Sequence, residues 1–272
     1  MIEGVVKLEG MRPGKTLAVM CGIHGNEICG MQAFDKIVPN LTIEAGTVYF
    51  IRANLKAIEQ NVRFVDVNMN RIFRSDEQLS SEQKSSYEYQ RSRELMPILS
   101  TCDVLLDIHS SKNLGSKTFV ISDPKHFDIA EKLPFELRAY GWPEFEPGAT
   151  DEYMDTQGKV GVGIECGYHL DPEATGRAEQ SIFAFLKLMG AIPGKTLSYT
   201  QTTVRITGLY KTRVDFKLAR VFEDFESVKA GELIGTDGGE EVRVDTDGCV
   251  IFAHDRDKPS EEAFLTGVYE NK

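Results

Sequence analysis

The amino-acid sequence predicts an α/β protein with a mixed, mostly parallel sheet and helices on both of its faces, followed by a small C-terminal all-β domain. Over the first two thirds of the 272 residues, short apolar runs alternate with amphipathic stretches, which is typical of strands that alternate with helices. After a linker with proline and glycine at 191–200, only short alternating runs follow, without helical periodicity. We therefore expect two domains, at 1–195 and 196–272.

The predicted strands of the first domain are apolar runs of five to seven residues. They lie at 16–21, 48–52, 104–108, 118–122 and 160–166. Four helices are predicted from apolar spacing and from caps, at 26–38, from 80 to about 99, from 123, and from 171 to about 190. The second of these begins with Ser80 and Gln83, which have the spacing of a capping box.

The second domain is predicted to consist of short strands and turns. The strand-like runs lie at 203–206, 215–218, 241–244 and 249–252. Glycine- and aspartate-rich turn signals lie at 235–239 and 247–248.

Composition excludes several classes of function. Hydrophobic residues make up 41% and charged residues 27% of the chain, which is an ordinary globular balance. The net charge of −11 repels phosphate backbones, so we expect no nucleic-acid partner. No apolar stretch approaches the roughly 18 residues of a membrane span, and no signal-peptide pattern is present. We expect a cytoplasmic protein that makes no membrane contact.

His24 and Glu27 lie where the first predicted strand gives way to the first predicted helix. The C-terminal edge of an open α/β sheet is where ligands bind, and residues three apart in a first helical turn project to one side. An imidazole nitrogen and a carboxylate oxygen can then reach one metal ion at about 2.0–2.2 Å. On their own these two residues are also explained by chance, and a single histidine at a strand end is more often simply hydrogen-bonded.

His109 strengthens the metal prediction because it ends another apolar strand. If the strands are parallel, His109 lies at the same sheet edge as His24. Two histidines and one glutamate are the protein ligands of carboxypeptidase-type catalytic zinc, although they also bind cobalt, nickel or manganese. Asp107 precedes His109 by two residues, and either an outer-shell role or the capping of a neighbouring turn fits it.

Glu165 lies within an otherwise apolar strand, where a carboxylate is costly unless it is paired or functional. Such a group can take a proton from water and give it to a leaving amine, and a salt bridge at the strand end is the alternative. Arg63 and Arg71 lie in an asparagine-rich segment at 61–73. Guanidinium groups bind carboxylates and stabilise oxyanions, although ordinary surface arginines also fit this segment.

Together these motifs resemble the aspartoacylase and succinylglutamate desuccinylase family, which is related to the zinc carboxypeptidases. The resemblance covers about residues 16–190, and the C-terminal β domain also fits the architecture of the family. The matching motifs are His24-Gly25-Asn26-Glu27, Arg63 with Asp66, Asn70-Arg71-Ile72-Phe73, Asp107-Ile108-His109-Ser110 and Gly163-Ile164-Glu165.

The resemblance implies a role for each position and a reaction. It implies that His24, Glu27 and His109 bind one zinc ion per chain. It also implies that Glu165 acts first as general base and then as general acid, and that Arg63 polarises the scissile carbonyl. Asn70 and Arg71 would bind the α-carboxylate of the substrate. The expected reaction is hydrolysis of the amide bond of a small N-acyl amino acid or short peptide. A carboxypeptidase-type metallopeptidase and a non-catalytic metal-binding homologue are the alternatives, and a homo-oligomer remains open.

One departure from the family bears on the substrate. Members that act on aspartyl or succinyl groups have a further arginine shortly before the catalytic glutamate, to hold a second carboxylate. No arginine lies between Arg138 and Arg177 here, and Asp155 stands at the expected position. Since like charges repel, we expect a substrate with a neutral or cationic side chain.

Overall fold

A large mixed sheet runs through residues 2–270, which the computed structural model describes. The strands of this sheet and of a second, smaller one are β1 (Val5–Glu9), β2 (Arg12–Cys21), β3 (Ala45–Arg52), β4 (Val104–Ser111), β5 (Thr118–Ser122), β6 (Leu137–Tyr140), β7 (Val160–Tyr168), β8 (Thr202–Lys211), β9 (Phe216–Leu218), β10 (Glu226–Val228), β11 (Leu233–Asp237), β12 (Glu240–Arg243), β13 (Gly248–Ile251) and β14 (Glu262–Glu270). The large sheet has the order β1-β3-β2-β4-β7-β5-β6-β8-β14-β13-β10, and the small antiparallel sheet has the order β12-β11-β9.

Parallel pairing of β3, β2, β4 and β7 forms the centre of the large sheet. Antiparallel strands flank this centre, with β1 beside β3 and β5 beside β7. Strand β4 is buried along nearly its whole length, because a parallel centre is covered on both faces. The predicted mixed, mostly parallel character of this region is confirmed.

Helices cover both faces of the sheet. They are α1 (Ile28–Ile37), α2 (Leu55–Gln60), α3 (Ser81–Ser85), α4 (Tyr87–Leu99), α5 (Phe127–Ala130), α6 (Thr150–Thr156) and α7 (Ala174–Leu188). Leu17 and Val19 of β2 share a core with α1 and α7, whereas Ala18 and Met20 share a separate core with α4 and α6. Alternate residues of one strand thus enter opposite layers. None of the helices within 2–270 is long and apolar enough to cross a membrane.

The single long helix predicted from residue 80 to about 99 is wrong. The capping box is present, since the backbone N–H of Gln83 donates to Ser80 Oγ at 3.1 Å. The helix nevertheless ends at Ser85, because Ser86 is extended and its hydroxyl accepts the backbone N–H of Tyr89 at 3.0 Å. Ser86 therefore caps a new helix, α4.

The C-terminal strands continue the large sheet. Strand β8 pairs in parallel with β6 and antiparallel with β14, which leads to β13 and β10. A shared core joins Phe119 and Trp142 to Val204, Ile206 and Leu265. The small sheet has its own core and confirms the predicted all-β portion of the fold. The division at 195/196 stays a prediction, and one sheet extends across it.

Candidate metal centre and pocket

Three neighbouring parallel strands bring the metal motif together. His24 follows the end of β2, while His109 and Glu165 lie near the ends of β4 and β7. In the sheet register, Cys21 pairs with Ile108, and His109 pairs with Glu165. The sheet therefore places all three side chains at its C-terminal edge, where α/β sheets bind ligands.

His24, Glu27 and His109 form a buried cluster whose potential ligand atoms lie within 4.8 Å of one another. Glu27 lies between the two imidazoles, with Oε1 2.7 Å from His24 Nδ1 and Oε2 3.0 Å from His109 Nδ1. The backbone N–H of Ser110 also donates to Glu27 Oε2, at 3.2 Å. Two imidazoles and one carboxylate are the donor set of a catalytic zinc site, so these residues fit a divalent metal.

The second nitrogen of each imidazole has an oxygen partner outside the cluster. His24 Nε2 lies 3.0 Å from Asn68 Oδ1, and His109 Nε2 lies 3.2 Å from Asp107 Oδ2. Thr150 donates its hydroxyl hydrogen to the same oxygen of Asp107 at 2.5 Å. Such outer partners fix ring orientation in metal sites. Sequence reasoning missed Asn68, which lies in the asparagine-rich segment, and Thr150, which has no local signal.

The protonation states within the cluster differ because the neighbours differ. Burial lowers the pKa of His24 to about 4, and the nearby Arg63 adds to this effect. Burial also acts to lower the pKa of His109, but Asp107 and Glu27 outweigh it and raise that pKa well above its ordinary value. Burial acts to raise the pKa of Glu27, yet the two histidines hold it well below its ordinary value. Glu27 is thus a carboxylate anion between the two rings.

Glu165 reaches the same pocket as an unpaired carboxylate. Its side chain is buried, and Oε2 has no hydrogen-bond partner within residues 2–270. Burial raises the pKa of Glu165 well above its ordinary value, and the nearby Glu27 raises it further. A buried polar atom without a protein partner is uncommon, and bound water, an ion or a catalytic role can account for it.

The pocket is a cleft of about 1150 Å³, including its open mouth. Besides the metal cluster and Glu165, its wall includes Arg63, whose Nη1 lies 3.3 Å from Glu27 Oε1 and whose side chain is about half exposed. Residues beyond 196 also line the cleft, among them His254, Arg256 and Glu262. The C-terminal strands therefore complete the pocket.

Asn70 and Arg71 also line the pocket, but Arg71 is already engaged. Asn70 Oδ1 accepts the backbone N–H of Thr150 at 3.3 Å. Arg71 Nη2 donates to Glu146 Oε1 at 2.5 Å and to Glu262 Oε1 at 3.4 Å, whereas its buried Nε has no partner within the described chain. Nothing in the sequence indicates this pairing, because the two glutamates lie in distant segments.

Asp155 does not face the pocket, contrary to the expectation from sequence. Its carboxylate lies 2.8 Å from His126 Nε2 and 3.2 Å from Lys125 Nζ, outside the pocket lining. Because α6 is helical, Asp151 lies one turn earlier and lines the cleft instead. Burial raises the pKa of Asp151 to about 6. The acidic character expected near the substrate therefore comes from other residues.

Solved structures share this α/β fold. The succinylglutamate desuccinylase of Vibrio cholerae superposes with a TM-score of 0.79 at 20% sequence identity, over 97% of this chain and 85% of that one. The product-bound ectoine utilization protein EutE (DoeB) of Ruegeria pomeroyi superposes with a TM-score of 0.74 at 17% identity, over 97% and 88%. At these identities the likeness establishes the fold.

The sequence relationship extends from the fold to the family. The family model of the succinylglutamate desuccinylase/aspartoacylase catalytic domain matches residues 13–189, and the chain belongs to this family. A succinylglutamate desuccinylase of Pseudoalteromonas atlantica is 26% identical, over 95% of this chain and 82% of that protein. An N-acyl-aromatic-L-amino acid amidohydrolase (carboxylate-forming) of Rattus norvegicus is 29% identical, over 66% and 60%. The homologues are deacylases, which supports an enzymatic function.

Proposed function

We propose that this chain is a metal-dependent hydrolase that cleaves the amide bond of an N-acyl amino acid, or of a short peptide, with a free α-carboxylate. One observation carries the proposal: a buried His–Glu–His cluster opens into a cleft that also contains the unpaired carboxylate of Glu165. The names of the relatives, a succinylglutamate desuccinylase and an N-acyl-aromatic-L-amino acid amidohydrolase, support amide hydrolysis.

His24, Glu27 and His109 would hold one zinc ion, with Asn68 and Asp107 orienting the imidazoles. A bound zinc ion supplies Lewis acidity, which polarises a carbonyl and lowers the pKa of water. Because Glu27 is fixed by Ser110 as well as by both rings, the donor atoms are held in place before metal binding.

Glu165 and Arg63 would carry the proton transfer and the charge stabilisation. Glu165 Oε2 is free to take a proton from the attacking water and then to deliver it to the leaving amine nitrogen. The guanidinium group of Arg63 lies beside Glu27 and is half exposed to the cleft, so it can donate to the oxygen of the scissile carbonyl as negative charge develops there.

Asn70 and Arg71 would bind the α-carboxylate. The Nη2 atom of Arg71 is already paired with Glu146 and its Nε atom is buried, so we assign the α-carboxylate to the side-chain amide N–H of Asn70 and to the exposed part of the Arg71 guanidinium group. Lys112 and Arg256 add two cations to the same cleft, and neither forms an ion pair within the described part of the chain. The C-terminal carboxylate of a peptide would fit the same groups, so a carboxypeptidase-type activity is the second candidate.

The test is metal depletion and reconstitution, followed by assays on Nα-acetyl amino acids and dipeptides. We expect the zinc-loaded chain to release amino acids from the acetylated substrates and the depleted chain to be inactive. Faster cleavage of the dipeptides would instead favour the carboxypeptidase. Stoichiometric zinc without hydrolysis of either class would favour a non-catalytic homologue.

Glu165→Gln separates catalysis from metal binding. We expect kcat to fall by about 10²–10⁴-fold while the metal content stays at one ion per chain. Glu59→Gln, on the exposed surface of α2, removes an equal charge away from the pocket and is the control. Near-wild-type turnover by Glu165→Gln would rule out the general-base role.

A further inference from the structure

Arg71, Glu146 and Glu262 form a partly buried group, named here the Arg71 cluster, on the wall of the pocket. They come from three separate segments: a 3₁₀ turn at 69–71, the loop before α6, and the first residue of β14. Glu146 is 6% exposed, and the Arg71 and Glu262 side chains are 20% and 33% exposed. The cluster is therefore largely shielded from water, so its charges interact more strongly than charges on an exposed surface.

The charges of the Arg71 cluster do not balance. A single guanidinium group forms salt bridges with two carboxyl groups, which can share a hydrogen bond only while one of them is protonated. Burial raises the pKa of Glu146 to about 7, against the influence of Arg71. Burial acts in the same direction on Glu262, yet the hydrogen bond to Glu146 and the charge of Arg71 hold its pKa at about 2. Above neutral pH the cluster therefore carries an excess negative charge.

Within the described residues, no cation other than Arg71 forms a salt bridge with Glu146 or Glu262. Arg256 lies near both carboxylates, but its Nε donates to the backbone carbonyl of Glu262 at 2.5 Å rather than to a side chain. Arg63 and Lys211 also act on Glu262 from farther away. Asp151 adds another acid to the same cleft.

Building on the proposed deacylation, we propose that the Arg71 cluster selects an N-acyl amino acid, or peptide, with a cationic side chain. The α-carboxylate binds the Asn70 amide and the exposed part of the Arg71 guanidinium group, and the ammonium or guanidinium group of the side chain binds Glu146 and Glu262. An α-carboxylate alone adds a third anion around one guanidinium. A cationic side chain compensates for that anion, whereas a second carboxylate adds a fourth.

Three Nα-acetyl substrates test this selection on the zinc-loaded chain. Nα-acetyl-L-ornithine and Nα-acetyl-L-norleucine have side chains with equal numbers of heavy atoms and differ in charge, and Nα-acetyl-L-glutamate carries a second carboxylate. At pH 8 we expect kcat/KM for the ornithine substrate to exceed that for norleucine by about tenfold or more, with glutamate slowest.

The double variant Glu146→Gln/Glu262→Gln should remove the preference for ornithine over norleucine and raise the turnover of the glutamate substrate. Glutamine keeps hydrogen-bond acceptors for Arg71, and circular dichroism checks the fold. Glu144→Gln is the matched control, since it removes an exposed acid two residues from Glu146 that does not line this pocket. We expect its preference to equal that of the wild type.

Three results would overturn the inference: fastest turnover of the glutamate substrate by the wild type, equal turnover of the ornithine and norleucine substrates, or an unchanged preference in the folded double variant. The order of the three substrates in the wild type is decisive even if the double variant does not fold. Hydrolysis of norleucine and ornithine at equal rates would remove the selection and leave the proposed deacylation intact. Failure to hydrolyse any substrate would remove both.

Discussion

Two clusters of side chains on the pocket wall bury charge in different ways. In the histidine cluster, a single carboxylate, Glu27, lies between His24 and His109. In the Arg71 cluster, two carboxylates form salt bridges with one guanidinium group, that of Arg71. The histidine cluster presents three donors to a metal ion, whereas the Arg71 cluster presents surplus negative charge to a cation. We infer that the histidine cluster serves the chemistry and the Arg71 cluster serves selection.

The largest loss of zinc affinity and turnover is expected when the histidine cluster is changed. Glu27→Gln removes the only carboxylate donor of the His–Glu–His set, so zinc affinity and turnover should fall by more than about 100-fold, since loss of an outer-shell partner alone costs about 10- to 100-fold. Zinc titration and metal analysis measure this, with Glu59→Gln as the control. Wild-type zinc affinity in Glu27→Gln would show that the metal binds elsewhere.

A smaller loss of zinc affinity is expected at Asp107, which contacts His109 but is not one of the three metal ligands. Asp107→Asn weakens the oxygen partner of His109 Nε2, and we expect zinc affinity to fall by about 10- to 100-fold. Asp103→Asn, at the start of the same strand, is the control, because Asp103 accepts the backbone N–H of Thr16 at 2.8 Å and does not contact the cluster. Equal zinc affinities in the two variants would contradict the outer-shell role of Asp107.

The Arg71 cluster should make substrate preference depend on pH. The pKa of Glu146, about 7, lies above its ordinary value, so its negative charge is lost below pH 7 and present above it. The groups that face it are Arg71, Glu262 and Arg256. We expect the kcat/KM ratio of ornithine to norleucine substrates to rise by up to about tenfold from pH 6 to pH 8.

Glu146→Gln should abolish this pH dependence of the ratio while leaving other pH effects on turnover in place. Taking a ratio cancels titrations that affect both substrates equally, including those near the metal. A ratio that is flat in the wild type, or that falls as pH rises, would argue against selection by Glu146.

The smallest predicted effect is a loss of protein stability at the N-terminal cap of α4. Ser86→Ala removes the hydroxyl that caps α4 and should lower the free energy of unfolding by about 1 kcal/mol. Urea denaturation measures this change. We expect zinc affinity and substrate preference to stay at wild-type values. A shift in either would mean that loss of stability alone explains the effects predicted for the histidine cluster and the Arg71 cluster.

The sequence predicted that the residues of the histidine cluster lie together, and the reason is physical. Parallel strands buried on both faces appear as apolar runs, and their C-terminal ends meet at one edge. His24 and Glu27 are close in sequence, and His109 ends such a run. These local signals suffice to place the three side chains together at one edge of the sheet.

The Arg71 cluster could not be predicted in this way. Glu146 lies in an irregular loop, and Glu262 opens β14, where a register shift between Glu262 and Phe264 disrupts the alternation that marks strands. Their pairing with Arg71 depends on the tertiary arrangement of three segments. For the same reason, Asp155 was expected to face the substrate, although the turn of α6 directs it toward Lys125 and His126 instead.

The most direct test of this division of roles compares Glu165→Gln with Glu146→Gln/Glu262→Gln on the three acetylated substrates, with both variants loaded with zinc. We predict that Glu165→Gln lowers kcat/KM for all three substrates by one common, large factor. The double variant should change their order and retain turnover of the norleucine substrate. A changed order in Glu165→Gln, or a uniform loss in the folded double variant, would contradict this division of roles.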